Sequence, residues 1–371
     1  MRSMALMLGL AGLLTASADP IISTIAGSGR SGYRGDGGPA HLAELDQPFH
    51  CELGRLGQEP VLFIAEAGNH CIRRVNLRTG IITTVAGTGK KGYTGDGGDA
   101  RLATFNEPYA VVADEEGNLY IADRLNAVVR RVDAQRGTIS TIAGNGKKEY
   151  SGDGGPATAA GLREPNDVCL DGRGGLLIAD VADWRIRRVD LRTGMISTFA
   201  GTGRAQGKID RKMIGDGGPA ASAVVVGARA VCVDDRGNTY ICEREGHAIR
   251  KVDAQGLITT IAGTGAKGYG GDGGPASLAT FNGPKAIRCD AQGNLLIVDT
   301  ENHAIRRIDR ASGSISTVAG GRRGGQGDGA SALSATLDRP HGCVADGKGA
   351  IYIADSNNHR VRKVAPMMEP R

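Results

Sequence analysis

Residues 106–137 read NEPYAVVADEEGNLYIADRLNAVVRRVDAQRG. Three short apolar runs in this stretch end at Asp114, Asp123 and Asp133, and turn-forming residues separate them. A fourth run, at 139–143, ends just before Gly144. Short runs of apolar and β-branched residues bounded by Gly, Asn and Asp are typical of strands joined by tight turns. The stretch therefore predicts four antiparallel strands connected by three turns.

The same unit recurs six times along the chain, at intervals of 57 to 62 residues. Its fourth strand ends in an Ala-Gly pair, and the glycines of these pairs are Gly27, Gly87, Gly144, Gly201, Gly263 and Gly320. A glycine-rich connector of the GDGG type follows, and then a proline, which the fourth repeat replaces with Ala228. A fixed period of this length indicates an architecture built from one repeated supersecondary unit.

Strands such as 119–122 are apolar on both faces, and such a strand has to be covered on both faces. Small antiparallel sheets achieve this by stacking around an axis, as in a β-propeller. The last repeat contains only three strands, whereas an unpaired strand at 21–26 precedes the first repeat. We therefore predict an all-β fold, a six-bladed β-propeller of four-stranded antiparallel blades, whose N-terminal strand joins the last blade. Helices should be rare, and residues 19–371 should form a single domain.

The N-terminus has the pattern of a secretory signal peptide. Arg2 is followed by an apolar stretch at 5–14 and by the small residues Ala16-Ser17-Ala18. This order of charge, apolar segment and small residues is typical of a signal that is removed. We expect residues 1–18 to be cleaved after Ala18 and the protein to be secreted or periplasmic. No later stretch is apolar enough for a transmembrane helix, and we expect a monomer.

Composition excludes few classes of partner. The 371 residues carry a net charge of +5, which is mild for this length and does not indicate binding to nucleic acid or an anionic membrane. The seven cysteines are scattered, and no C-x-x-C motif occurs. Pairing Val233 with Tyr240 would place Cys232 and Cys242 on opposite faces of one hairpin. We therefore expect most cysteines to be small buried hydrophobic residues, with at least one free thiol.

Two stretches resemble the NHL repeat: GNLYIAD at 117–123 and IADSNNHRVRKV at 353–364. The Asn-His pair of that family recurs at 69–70, 302–303 and 358–359, and it is altered at 126–127, 183–184 and 246–247. The connectors resemble those of bacterial exported NHL proteins and of teneurin propellers. The resemblance covers essentially all of the chain after the signal and implies a propeller. It leaves function open, because NHL proteins are similar in fold to enzymes as well as to binding modules.

Several recurring polar residues are interpreted as parts of the scaffold. The Asn-His pairs fall in the turn before the third strand, and the connector aspartates are interpreted as turn residues. Basic pairs recur on the third strand, at 73–74, 130–131, 187–188, 250–251, 306–307 and 362–363. We expect their stems to snorkel over the blade and their heads to pair with the acid that ends the second strand, which is Glu66, Asp123, Asp180, Glu243, Asp299 or Asp355. A nucleic-acid surface is the less favoured interpretation, and nucleic acid is not an expected partner.

The residue after the proline differs in every repeat, at the place where the inner strand starts beside the channel mouth. In chain order it is Phe49, Tyr109, Asn166, Arg229, Lys285 and His341. Around it stand His50, Glu107, Glu164, Asp167 and Arg339. The acids come from blades two and three and the bases mostly from blades four to six, so one side of the mouth should be negative and the other positive. This predicts a site for a polar or zwitterionic ligand, with a solvated loop surface as the plainer alternative.

Two classes of enzyme with similar propellers carry metal ligands at this position. Peptidylglycine lyase-like propellers hold zinc with three Pro-His pairs, but here only Pro340-His341 matches and His50 is offset by one residue. Gluconolactonase-like propellers hold a divalent cation with Glu, Asn and Asp, and Glu164, Asn166 and Asp167 supply these types from one blade.

The sequence therefore predicts a rigid module, without a cofactor, that binds a protein, a glycan or a small polar ligand at the channel mouth. The alternative is a gluconolactonase-like or lyase-like enzyme that uses calcium or zinc there. The insertion at 204–214 in the fourth repeat is either a partner contact or a tolerated insertion.

Overall fold

The computed structural model describes residues 19–203, 210 and 213–365. The predicted signal peptide at 1–18 and most of the insertion at 204–214 lie outside these residues. The described chain folds into strands joined by turns and by one-turn 3-10 helices. The 3-10 helices are Ala40–Leu42, Ala100–Leu102, Arg124–Asn126, Ala157–Ala159, Ala220–Ser222, Ala276–Leu278, Thr300–Asn302 and Ser356–Asn358.

Twenty-four strands make up six four-stranded sheets. The first strand is β1 (Ile21–Ala26). Blade one contains β2 (Pro48–Leu56), β3 (Glu59–Glu66), β4 (Cys71–Asn76) and β5 (Ile82–Ala86). Blade two contains β6 (Pro108–Ala113), β7 (Leu119–Asp123), β8 (Val128–Val132) and β9 (Ile139–Ala143). Blade three contains β10 (Pro165–Leu170), β11 (Gly175–Asp180), β12 (Arg185–Asp190) and β13 (Ile196–Ala200).

The second half of the ring repeats this pattern. Blade four contains β14 (Ala228–Val233), β15 (Thr239–Glu243), β16 (Ala248–Val252) and β17 (Ile258–Ala262). Blade five contains β18 (Ala286–Cys289), β19 (Leu295–Asp299), β20 (Ala304–Ile308) and β21 (Ile315–Gly320). Blade six contains β22 (Gly342–Ala345), β23 (Ile351–Asp355) and β24 (Arg360–Ala365), and β1 completes it.

The N-terminal strand closes the ring as predicted. β1 pairs antiparallel with β24, from Ile21 opposite Ala365 to Ala26 opposite Val361. The other blades are simple antiparallel meanders whose strands follow chain order. Closure converts the outer edge of the last blade from an exposed edge into a paired one. The all-β fold, its six blades and the joining strand are confirmed.

The hydrophobic core lies between the blades rather than within one layer. In blades two to six the second strand is buried along its whole length. Each buried cluster combines residues of two neighbouring blades; one cluster joins Phe63 and Ile72 of blade one to Phe105 and Leu119 around blade two. Full burial of one such side chain contributes about 1.5–3 kcal/mol. Blade-to-blade packing therefore holds the ring at a fixed geometry.

The first arginine of each third-strand pair is fully buried, which corrects the sequence-based expectation. Arg130 is 0% exposed, so its stem does not snorkel. Its nearest carboxylate is Asp96 in the GDGG connector, 2.6 Å away, whereas Asp123 at the end of the second strand is 4.0 Å away. The predicted pairing with the second-strand acid is present in blades one and four, at 3.3 Å for Arg73–Glu66 and 2.9 Å for Arg250–Glu243. In all six blades this arginine–connector distance is 2.5 to 2.7 Å. The connector aspartates lie in turns as predicted, and they also clamp the blade, which the sequence analysis did not anticipate.

The turn before the third strand explains the Asn-His pairs. The Asn126 amide donates to Asp123 and to the carbonyl of Gly92, both at 2.8 Å, and so fixes the connector over the blade. Burial raises the pKa of Asp123 to about 7, although the hydrogen bond from Asn126 lowers it. The next position has positive φ in every blade: 51°, 55°, 59°, 48°, 55° and 52° at His70, Ala127, Trp184, His247, His303 and His359. The predicted turn role is confirmed.

The histidines of these turns also join neighbouring blades, which sequence reasoning missed. Nδ1 of His303 in blade five accepts a hydrogen bond from the backbone N–H of Arg339 in blade six, at 3.1 Å. His70 does the same with Glu107 at 3.1 Å, and His247 with Gly283 at 3.0 Å. Each contact holds the backbone just before the mouth residue of the next blade. The repeat signature thereby positions the variable site.

The cysteine register differs by one residue from the expectation. Cys232 pairs with Tyr240, and Val233 pairs with Thr239. Cys232 and Cys242 therefore lie on the same face, where both belong to one hydrophobic cluster, and the predicted opposite placement was wrong. All seven cysteines are free, and five are buried, which confirms their expected role as small core residues.

Candidate functional site at the channel mouth

A bulge at the start of the inner strand turns one side chain toward the channel. In blade one the pairing register shifts between Pro48 and His50, so Phe49 has no partner on the adjacent strand. The same shift occurs in blades two to four, where it releases Tyr109, Asn166 and Arg229. A bulge of this kind re-aims the side chain of its extra residue. This local feature gathers the residue after the proline at one end of the channel.

One pocket at this end brings together most of the predicted site residues. It is lined by Phe49, His50, Tyr109, Asn166, Asp167, Arg229, Lys285 and His341, together with Ala286. The other predicted residues, Glu107, Glu164 and Arg339, are partly exposed beside it. The enclosed space is about 10 Å³, which is room for about one water molecule. The side chains converge as predicted, around a space that admits only a small chemical group.

Aromatic rings form part of the pocket wall. The Phe49 ring stacks on the His341 imidazole, with centroids 4.1 Å apart and an interplanar angle of 9°. Tyr109 meets Phe49 edge to face at 4.6 Å. The Tyr109 ring also lies between two guanidinium groups, 4.9 Å from Arg124 and 4.5 Å from Arg229. These contacts fix the rings from blades one, two and six against each other.

The expected negative side of the mouth is neutralised by an arginine. Arg124, in the turn after β7, pairs with Glu107 of its own blade and with Glu164 of blade three, at 2.5 Å each. The two carboxylates are therefore already occupied. The prediction of opposite charges on the two sides of the mouth was wrong, because it took no account of Arg124.

Among the described residues, Arg229 is the cation of the mouth that has no carboxylate partner. The residue is only 4% exposed, and its Nε is a buried donor without a hydrogen-bond acceptor. In the part of the chain that the structure describes, no carboxylate lies within ion-pair distance of its guanidinium. Burial lowers the pKa of Arg229, the cations Arg244 and Arg124 add to this effect, and Tyr109 opposes it. A buried charge without a counter-charge is unfavourable in a folded protein.

Lys285 and His341 form a second polar group next to Arg229 in the pocket. Nδ1 of His341 lies 2.8 Å from the carbonyl oxygen of Arg339, so in the neutral ring this nitrogen carries the proton. Nε2 then accepts from the Lys285 ammonium at 3.1 Å. A second ammonium proton faces Glu301, at 3.2 Å. Burial, with the Arg229 charge, lowers the pKa of Lys285 to about 7.

Below the mouth, a buried ion pair crosses the channel. Arg288 of blade five contacts Asp167 of blade three and His50 of blade one. Burial favours neutral Asp167, but the Arg288 charge outweighs it, so the pKa of this carboxyl is lowered. Burial and the same charge lower the pKa of His50 to about 3. Burial raises the pKa of Glu52, whose carboxylate is 3.9 Å from Arg288, to about 7. This group forms the floor of the mouth.

The predicted metal-ligand sets do not converge. Glu164 is held by Arg124, Asp167 by Arg288, and the Asn166 amide donates to the backbone carbonyl of Glu164 at 2.8 Å. Within residues 19–203, 210 and 213–365, no group of three or more His, Cys, Asp or Glu side chains is placed to hold a metal ion. The donor geometry therefore does not favour the metal-dependent enzyme.

A wider groove lies at the opposite end of blades one and two. Its volume is about 960 Å³, and its lining includes Arg55, Leu56, Phe63 and Arg74. It lies beside the β2–β3 hairpin, whose strands of 9 and 8 residues are the longest in the described ring. The groove is open and mixed in polarity.

Two regions of the chain match known families. Residues 199–269 match the Teneurin NHL domain, and residues 337–364 match the NHL repeat. Over these two regions the matches support the resemblance to the NHL-repeat family. Among the residues with a described structure, no helix is both long enough and apolar enough to cross a membrane.

Several proteins are similar to this chain over most of its length. It is 26% identical over 314 residues to Protein SUPPRESSOR OF QUENCHING 1, chloroplastic, of Arabidopsis thaliana, which covers 82% of this chain and 29% of that protein. It is 26% identical over 302 residues to NHL repeat-containing protein 2 of Bos taurus, which covers 73% of this chain and 40% of that protein. The chain thus spans less than half the length of either relative.

A solved structure, that of an auxiliary nutrient binding protein from Bacteroides thetaiotaomicron, has the same fold. The TM-score is 0.65 at 16% identity, over 93% of this chain and 76% of that one.

Proposed function

We propose that the protein is a rigid binding module that takes a small polar ligand at its channel mouth. The observation that carries this proposal is the convergence of chemically different side chains, one from each blade, on one pocket at one end of the channel. The scaffold accounts for the residues that recur, such as Arg130 and Asp96, but it does not require this variety. A concave site with a few convergent polar groups is typical of ligand binding.

The fold supports the same proposal. Packing between the blades and the His–backbone contacts hold the mouth residues in place before any ligand arrives, which lowers the entropy lost on binding. One protein with this fold is described as nutrient-binding, and a module that captures a small nutrient would use such a preformed site.

We further propose that the module acts as a monomer, without a bound metal, after export and cleavage behind Ala18. A protein or a glycan at the mouth is the other partner class.

Thermal-shift screening against sugars, amino acids, carboxylic acids and phosphate esters, followed by calorimetry, tests this proposal. We expect Tyr109→Ala to weaken binding of the identified ligand at least tenfold. Arg55→Ala, in the groove at the opposite end, should leave its affinity unchanged, as should EDTA. Loss of binding in Arg55→Ala with full binding in Tyr109→Ala would move the site to the groove and overturn the proposal. Binding that requires added calcium or zinc would do the same.

A further inference from the structure

The charges around the mouth do not balance. Among the described residues, four cationic side chains surround the pocket, namely Arg124, Arg229, Lys285 and Arg339, and three carboxylates face them, namely Glu107, Glu164 and Glu301. A fifth cation beside Arg229, Arg244, has its own partner in Glu245, at 3.6 Å. Arg124 uses two of these carboxylates. Lys285 and Arg339 share the third, at 3.2 and 2.6 Å. One positive charge is left over, and it belongs to the buried guanidinium of Arg229.

The donors of this region are also incompletely used. Nε of Arg229 has no acceptor, and the guanidinium lines the pocket. The Lys285 ammonium has three N–H donors, of which His341 and Glu301 accept two. A guanidinium and an ammonium on one pocket form the donor set that recognises a carboxylate or a phosphate. Near the floor, Arg288 holds Asp167 in a bidentate pair and lies 3.9 Å from Glu52, so both acids are engaged by Arg288 rather than by Arg229.

We infer that the ligand is anchored by a single carboxylate group, which binds between Arg229 and Lys285. The inference rests on the proposed function, because it names the chemistry of the ligand for that site. One negative charge neutralises the excess at the mouth, whereas a phosphate dianion would overcompensate it. The enclosed space of about 10 Å³ has room for about one water molecule, so entry of the carboxylate requires the lining side chains to move outward. The remainder of the ligand lies above, against Tyr109 and Arg124.

Arg229→Met tests the inference by a readout that a structural role would not give. Methionine keeps much of the apolar volume and removes the buried charge. Without ligand, the variant should unfold at a higher temperature than the wild type, since an unpaired buried cation is destabilising. A structural arginine behaves oppositely, and its replacement lowers the unfolding temperature. A lower unfolding temperature of Arg229→Met, together with no carboxylate-dependent stabilisation of the wild type, would overturn the inference.

Paired probes identify the chemical group. Propionate and succinate are compared with propionamide and succinamide, and inorganic phosphate forms a separate arm, in buffers without other oxyanions. The wild type should bind the carboxylates, and Arg229→Met should bind them about 10- to 100-fold more weakly, as expected for loss of charge-assisted hydrogen bonds. Arg310→Met serves as the control, because its ion pair with Asp235 lies away from the mouth and is partly exposed. It should bind the carboxylates as the wild type does.

The outcomes separate this inference from the proposed function. If an amide binds at the mouth as well as its acid does, or if phosphate alone binds, the carboxylate inference fails while the binding module stands. If none of the probes and none of the screened ligands responds to substitutions at the mouth, both fail.

Discussion

Arg288 donates two parallel hydrogen bonds across the channel to Asp167, each 2.9 Å long. Arg288 belongs to blade five and Asp167 to blade three, and their side chains are only 9% and 5% exposed. A bidentate guanidinium–carboxylate pair combines charge with fixed geometry. It joins two non-adjacent blades through the centre of the ring.

Asp167→Asn should destabilise the protein strongly, because it leaves the Arg288 charge buried without its partner. The expected loss is about 3–5 kcal/mol of unfolding free energy, measured by urea denaturation. Asp235→Asn is a matched control, since Asp235 forms an ion pair of the same 2.9 Å length with Arg310 but is 72% exposed. The Asp235→Asn variant should lose less than about 1 kcal/mol of unfolding free energy. Equal losses in the two variants would contradict a structural role for the channel pair.

Adjacent arginines on one strand should differ sharply in their contribution. Arg130 is fully buried and donates to Asp96 and to two backbone carbonyls, whereas Arg131 is partly exposed and meets Asp133 at 3.3 Å. We expect Arg130→Ala to lower the free energy of unfolding by about 3–5 kcal/mol and Arg131→Ala by about 0–1 kcal/mol. The unfolding free energies of the two variants, measured side by side, check the clamp. A smaller effect at 130 than at 131 would refute it.

The closing strand offers another neighbouring pair. Ile22 is 0% exposed, whereas Ile21 is 40% exposed. Ile22→Ala should reduce the unfolding free energy by about 2–5 kcal/mol, and Ile21→Ala by less than about 1 kcal/mol. Limited proteolysis gives a second measure, because an open ring should be cut in blade six first. Wild-type resistance in Ile22→Ala would show that closure does not depend on this strand.

Carboxylate binding should weaken as the pH rises above 7. Lys285 is faced by Arg229, Arg339, Glu301 and His341, and its pKa in the free protein is about 7. The ammonium form binds the anion, so affinity is highest well below pH 7, is reduced about twofold at pH 7, and falls about a further tenfold by pH 8.5. Calorimetry with succinate across this range measures the effect.

Lys285→Arg is the control for this pH dependence, because a guanidinium stays charged over the whole range. Its affinity should be nearly constant from pH 6.5 to 8.5. The assignment to Lys285 fails if the variant and the wild type lose affinity in parallel.

The fold could be predicted because its determinants are local and repeated. The alternation and turns of 106–137 predict four strands, and six copies with an unpaired strand at 21–26 predict the closed ring. The clamp was missed although the sequence contains a signal for it. Asp96 and Arg130 are separated by 34 residues, and the same separation recurs in blades three to six. A constant separation between opposite charges in successive repeats indicates an ion pair within the unit.

The position of the site could be predicted, but its charge pattern could not. The residue after the proline occupies one place in the repeat register, so Tyr109 and Arg229 were correctly assigned to one mouth. Which charges remain unpaired depends on side chains from other turns. Arg124 and Glu301 come from the turns after β7 and β19, and their direction depends on packing between blades. The periodic pattern contains no information on that packing.

Ring closure by β1 also sets the order in which the molecule can be completed. Ile21–Ala26 is synthesised before every other strand, whereas its partner Arg360–Ala365 is synthesised after all of them. The sixth blade therefore stays unfinished until the last strand has left the ribosome, and a prematurely terminated chain keeps two unpaired strand edges. Such a chain is a candidate for aggregation and for removal by proteases. The joining strand thus makes completion of the ring depend on synthesis of β24, the last strand of the sixth blade.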